Sequence, residues 1–269
     1  MLSEPATRPT PDTIPALRVE GLRRQFGGVT ALAGVSFAVA RGERRAIIGP
    51  NGAGKTTLFN LISGELAPTS GRVYLDGVDV TGLPSHQLAR RGLARTFQRN
   101  NLFLGLTARE NVRLAVQARR GLGHRFWTPA EHLREVTAEA DRVLADLGLL
   151  ERADVPVRHL SYGEQRQLEV AIAVATRPRV LLLDEPTAGM SPAETAAMTR
   201  TIAALPPEMT LLIIEHDMDV VFALADRITV LHYGEILADG EPEAVRQNPR
   251  VAEVYMGLAA DEAPRLGAS

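Results

Sequence analysis

Three features of the sequence predict an α/β fold with a helical subdomain inserted into it. The runs Ala46–Ile48, Val180–Leu183 and Leu211–Ile214 are apolar at every position, as expected of strands in a parallel sheet covered by helices on both faces. Leu168, Ala171, Ile172 and Ala175 recur at i, i+3, i+4 and i+7, the stripe of a core-facing helix that Pro178 stops. The stretch from about Ala108 to Leu150, rich in Ala, Leu, Glu and Arg, separates the first buried strand from the other two. Strand–helix alternation broken by a helical block points to an α/β nucleotide-binding core carrying an insertion.

In chain order, residues 1–16 carry four prolines and read as a flexible tail. Leu17 and Val19 then alternate with polar neighbours, as do Val35, Phe37 and Val39, before a turn at Arg41-Gly42. Val73 and Leu75 form another short strand that ends at Asp76-Gly77. Thr56–Ser63 reads as a helix with Gly64 at its C-terminal cap. Gly121, Gly123 and Pro129 interrupt the helical block, and Trp127 beside Phe126 reads as local packing. From Ala260 to Ser269 the chain again reads as a flexible tail.

Composition narrows the function. With 30 Lys plus Arg against 32 Asp plus Glu, net charge is only −2, which gives no electrostatic case for a nucleic-acid partner. Absence of cysteine removes disulfides and thiolate metal sites. No apolar run approaches the ~20 residues of a membrane-spanning helix, and Met1–Ala16 lacks the apolar core of a signal peptide. These features predict a soluble, intracellular chain.

The chemistry is concentrated in a few segments. Gly49-Pro50-Asn51-Gly52-Ala53-Gly54-Lys55-Thr56 fits G-x-x-x-x-G-K-[ST], between a buried strand and a helix. Its glycines let backbone N–H groups turn around phosphate oxygens, Lys55 adds a point charge, and the Thr56 hydroxyl suits Mg²⁺. The helix that follows adds the positive end of its dipole. Val180–Glu185 is a buried strand ending in two carboxylates. Beside a phosphate loop, Asp184 can hold Mg²⁺ and Glu185 can orient a water. Leu160-Ser161-Tyr162-Gly163-Glu164-Gln165 has the spacing of a capping box, Ser161 with Glu164, and such a helix start is also an anion site. A lone histidine such as His216 after the strand Leu211–Ile214 is more often structural, but that edge is where a doubly wound sheet places its ligand. Taken singly, Gln98 reads as a surface glutamine and Phe26 as a strand aromatic.

As a set these segments resemble the ATP-binding cassette of ABC transporters, over about Leu17 to Gly257. That resemblance implies a P-loop NTPase with a RecA-like core (about 17–97 and 166–259), an antiparallel β subdomain and a helical signature subdomain (about 98–165), the whole cassette running 17–259. Phe26 falls at the aromatic that stacks on adenine, Gly49–Thr57 at the Walker A loop, so that Thr57 joins the nucleotide contacts, and Gln98 at the Q-loop glutamine. Ser161, Gly163 and Glu164 fall in the signature otherwise written L-S-G-G-Q. Asp184 and Glu185 take the Walker B and catalytic places, and His216 that of the switch histidine. Thr56, Gln98 and Asp184 are the implied Mg²⁺ ligands, and ATP with Mg²⁺ the implied nucleotide.

Finer features are similar to the ATPase subunits of branched-chain amino acid importers: Arg95-Thr96-Phe97-Gln98, Ala188-Gly189-Met190-Ser191-Pro192, Ile214-Glu215-His216-Asp217-Met218 and the ending Asn248-Pro249…Tyr255-Met256-Gly257. Tyr162 replaces a signature glycine, and Ser191 stands where many cassettes have Asp. The branch implies a peripheral subunit on the cytoplasmic face of the inner membrane. Its implied partners are two permease subunits, a second ATPase subunit (the same or related) and, indirectly, a periplasmic binding protein. Leu102-Phe103-Leu104 is either the dock for a permease helix or helical-subdomain core. The alternatives are the ATPase of a urea, amide or lipopolysaccharide system, or a soluble cassette coupled to nucleic acid.

Overall fold

The computed structural model of the chain describes residues 14–96, 102–122 and 130–257. The start is antiparallel. β1 (Leu17–Phe26) pairs with β2 (Val29–Val39) and with β4 (Ser70–Leu75), which turns through Asp76-Gly77 into β5 (Val78–Asp79). This gives a four-stranded sheet ordered β2-β1-β4-β5. The expected tail overruns the packed chain slightly. Ala16 is buried, and its carbonyl accepts the Asp76 N–H, because that residue already lies against the β4–β5 turn.

The second sheet has six strands ordered β10-β9-β3-β8-β7-β6. The strands β3 (Arg44–Ile48), β6 (Leu93–Arg95), β7 (Val180–Asp184), β8 (Thr210–Ile214) and β9 (Arg227–His232) run parallel, and β10 (Glu235–Gly240) runs antiparallel to β9. Strands apolar at every position need cover on both faces, and they have it. On β7, Leu181 and Leu183 join a core shared with the helical block, while Val180 and Leu182 join the core under the antiparallel sheet. Ala46 and Ile48 of β3 face a third cluster with Val251 and Tyr255.

Helices supply that cover. α1 (Lys55–Ile62) follows β3, and α2 (Ser85–Arg90) precedes β6. The helical block is α3 (Ala108–Arg119), α4 (Ala130–Asp146) and α5 (Tyr162–Ala175), the first two packing on each other and on α5. Then come α6 (Pro192–Ala203), α7 (Met218–Leu224), α8 (Pro242–Arg246) and α9 (Pro249–Gly257). α3, α5 and α6 each begin with a complete capping box: Thr107 with Glu110, Ser161 with Glu164, Ser191 with Glu194. Among the described residues no helix is long and apolar enough to cross a membrane. Gly123, Trp127 and the two outer segments 1–13 and 258–269 lie outside the described residues.

Candidate functional site

The carboxyl ends of adjacent parallel strands form one edge. In register, Ile47 of β3 and Asp184 of β7 both lie opposite Ile214 of β8. The phosphate loop therefore leaves on one side of His216, and Asp184-Glu185 on the other. This crevice is where an open α/β sheet binds its ligand.

The loop is shaped by close backbone approaches. A Cβ on Gly49 would stand 2.1 Å from the Leu231 carbonyl oxygen, and one on Gly54 would stand 2.6 Å from that of Ala31. Both positions have positive φ, at 146° and 103°. The turn after β9 supports the loop from outside, Gly234 N–H donating to the Ala53 carbonyl at 3.0 Å. Tyr255 on α9 is buried against the same segment with a backbone hydrogen bond at Gly49, and burial pushes its hydroxyl pKa well above the usual value. Lys55, itself buried, donates from Nζ to the Gly49 and Pro50 carbonyls at 2.6 and 3.0 Å. Burial lowers its pKa, opposed by the nearby charges of Glu185 and Asp184. Thr56 is exposed at the start of α1, with Thr57 half-buried behind it.

Asp184 is buried. Its Oδ2 accepts from Arg95 at 2.7 Å, and its Oδ1 is buried with no hydrogen-bond partner among the described residues. Glu185, next along, holds a left-handed φ of 48°, costly for a residue with a Cβ. That turn swings its carboxylate out of the sheet and within 3.5 Å of His216 Nδ1. Glu215, also buried, accepts the Thr187 N–H and hydroxyl at 3.1 and 2.5 Å, tying the turn beyond Glu185 to the end of β8.

Whether these residues fit a magnesium–nucleotide is decided by the donor set. Mg²⁺ keeps most of its waters and is usually held through one or two carboxylates plus phosphate oxygens. One unpartnered carboxylate oxygen beside a phosphate loop has that chemistry. Among the described residues no cage of three acidic or histidine ligands competes with it. The residues fit.

Ser161 and Glu164 form the expected capping box: Ser161 Oγ accepts the Glu164 N–H at 3.2 Å, and Glu164 Oε2 accepts the Ser161 N–H at 2.8 Å. The segment is latched to its own chain at two further points. Tyr162, in the place of a signature glycine, donates its hydroxyl to the Ala188 carbonyl at 3.1 Å. Glu194 sits against Gly163 and accepts its N–H, and the Glu194 pKa is lowered chiefly by its hydrogen bonds to Ser191. Ser191 itself caps α6, its Oγ accepting the Glu194 N–H at 3.4 Å.

Phe26 ends β1 with its ring exposed and the Arg24 guanidinium 4.6 Å from the ring centroid; it does not fill the core. The 102–104 segment divides. Leu102 belongs to the helical core, whereas Phe103 and Leu104 are exposed. Leu102, Arg95 and Glu169 line a cavity of about 340 Å³ between β6 and α5. Gln98 lies outside the described residues. Sequence reasoning gave no role to Arg95, Glu194, Glu215 or Tyr255. Arg95, Glu215 and Tyr255 stand in the motifs above, but their partners are 89, 28 and 206 residues away along the chain, and no local pattern announces such contacts.

The description of the ABC transporter family matches residues 32–188, and that of the branched-chain amino acid ATP-binding cassette transporter matches 235–261. The high-affinity branched-chain amino acid transport ATP-binding protein BraF of Pseudomonas aeruginosa is 44% identical over 252 residues, covering 91% of this chain and 99% of its own. A solved nucleotide-free ATP-binding cassette from an ABC transporter superposes with a TM-score of 0.78 at 33% identity, covering 89% of this chain and 98% of its own. Another cassette, solved as a dimer in a post-hydrolysis state bound to ADP and Pi, superposes with a TM-score of 0.71 at 25% identity, covering 84% and 98%. With the phosphate loop, the paired carboxylates and the capped signature helix on one scaffold, and with relatives matched over nearly their whole length, this chain belongs to the ABC transporter family as an ATP-binding cassette.

Proposed function

We propose that the chain is the ATP-hydrolysing subunit of an importer for branched-chain or related amino acids, working at the cytoplasmic face of the inner membrane. The convergence of Lys55, Asp184, Glu185 and His216 at one sheet edge carries the hydrolytic part of this reading. The likeness to branched-chain amino acid transport proteins supports the substrate class.

Lys55 and the backbone N–H groups of the Gly49–Thr57 segment cradle the phosphates, exchanging Lys55's two carbonyl acceptors for phosphate oxygens. Phe26 offers its exposed face to adenine. Thr56, Gln98 and Asp184 would hold Mg²⁺, which when bound would supply positive charge against that developing on the phosphates. Glu185 orients the attacking water, and His216 holds the γ-phosphate. Ser161, Gly163 and Glu164 act on nucleotide held by a second ATPase subunit, the same chain or a related one. Two permease subunits complete the complex, with Phe103, Leu104 and the adjoining cavity as the dock for a permease helix. A periplasmic binding protein acts through those permeases, and nucleic acid has no part.

If the site is shared, the purified monomer binds ATP with Mg²⁺ but hydrolyses it slowly, and adding the partner ATPase, permeases and loaded binding protein raises the rate. Steady-state hydrolysis by a monomer verified by light scattering tests this. Turnover by that monomer at the rate of the assembled complex overturns the shared site.

Ser161→Ala separates capping from catalysis. Losing the cap costs the helix about 1 kcal/mol, read as a fall in melting temperature. ATP affinity of the monomer stays unchanged, while hydrolysis falls at the site whose phosphate loop belongs to the partner. A large affinity loss in a folded monomer assigns Ser161 to its own nucleotide instead.

A further inference from the structure

The ion pair between Arg95 and Asp184 is the most enclosed charged contact beside the nucleotide crevice. The Arg95 side chain is 7% exposed and that of Asp184 is 0% exposed. Arg95 spreads one guanidinium over three side chains. One nitrogen reaches Asn60 Oδ1 at 2.7 Å and Ser63 Oγ at 2.9 Å, both on or beside the phosphate-loop helix, and the other reaches Asp184 Oδ2 at 2.7 Å. It stands at the end of β6, three residues before Gln98, with its guanidinium carbon 5.7 Å from the centroid of the Phe59 ring.

A buried carboxylate without a partner is costly and turns toward whatever donor it can find. Arg95 occupies one oxygen in a fixed fork, and among the described residues nothing claims Oδ1. We propose that Arg95 is a positioning residue for the metal–nucleotide: it fixes the Asp184 carboxylate against the phosphate-loop helix so that Oδ1 alone serves the metal. This rests on the reading that Asp184 holds Mg²⁺. The fork geometry matters as much as the charge. A lysine can reach Asp184 or the Asn60–Ser63 pair, but not both at once.

The test measures how much Mg²⁺ tightens ATP binding, by titrating ATP in EDTA and in Mg²⁺. The full chain is used in a Glu185→Gln background so that ATP is not consumed. Arg95→Met keeps affinity in EDTA, where the Walker A loop does the binding, and loses about tenfold of the tightening by Mg²⁺, the scale on which residues behind a metal ligand act. Arg95→Lys loses about threefold, and Asp184→Asn abolishes the tightening. Undiminished tightening in Arg95→Met, with Asp184→Asn deficient, overturns the role of Arg95 and leaves that of Asp184 standing. Undiminished tightening in Asp184→Asn overturns the metal reading itself, and this proposal with it. Equal losses in EDTA and Mg²⁺ also overturn the proposal, since they assign Arg95 to support of the whole loop. Should Arg95→Met fail to fold, Arg95→Lys decides alone: tightening equal to the parent's overturns the proposal.

Discussion

Replacing Glu185 by Gln is expected to leave ATP binding intact and to lower turnover by about 10²–10⁴-fold, equivalent to ~3–5 kcal/mol of barrier. Glutamine has the same shape, so the left-handed turn at this position and the Glu185 N–H bond to the Ile214 carbonyl are kept. Only the carboxylate proposed to orient the water is lost. Asp184, one residue earlier and proposed to hold the metal, is unchanged. Phosphoryl transfer asks little of the protein beyond positioning and charge, so a single misdirected water accounts for an effect of this size. Single-turnover cleavage by the assembled transporter is the measurement, and near-normal release of the γ-phosphate removes Glu185 from the role.

Gly49→Ala is expected to cost more than any other loop-glycine change. The new Cβ meets the Leu231 carbonyl oxygen at 2.1 Å on a backbone whose φ is 146°. Neither side can withdraw easily: Ile48 is paired in register with Val230, and both are fully buried. Strain of about 3 kcal/mol, expressed as displacement of the loop, corresponds to a loss of ~10²-fold in ATP affinity. Gly148→Ala is the control. It has a left-handed φ of 71° but open space around it, so a destabilisation of ~1 kcal/mol, read as a lower melting temperature, and an unchanged affinity are expected. ATP titration and thermal melting of both variants make the comparison. Parental affinity in Gly49→Ala means that the contact with β9 does not shape the loop.

The buried strands were legible because burial on both faces writes itself into the sequence: β3, β7 and β8 are apolar at successive positions, and their two faces go to different cores. The capping box at Ser161 was legible because it is local, all its partners lying within three residues. What could not be read is long-range or short. β6 has only three residues, too few for any periodicity, yet it presents Arg95 to Asp184. The latch of Glu194 on Gly163 joins residues 31 apart, and the capping box with Ser191 already accounts for Glu194 locally. The 102–104 segment was ambiguous because three adjacent apolar residues on an irregular stretch need not share a face. Leu102 turns inward, and Phe103 and Leu104 do not.

The three capping boxes at the starts of α3, α5 and α6 bear on how fast two cassettes could close on nucleotide. Ordering a loose segment on association costs about 1–2 kcal/mol per residue in backbone freedom alone. In the proposed pairing of two ATPase subunits, a signature turn already fixed by Ser161, Glu164, Tyr162 and Glu194 avoids that cost. Closure then approaches the docking of preformed surfaces, limited by encounter and orientation. In a hydrogen-exchange experiment on the monomer, the Glu110, Glu164 and Glu194 amides, each bonded to its cap hydroxyl, should exchange slowly before any nucleotide is added.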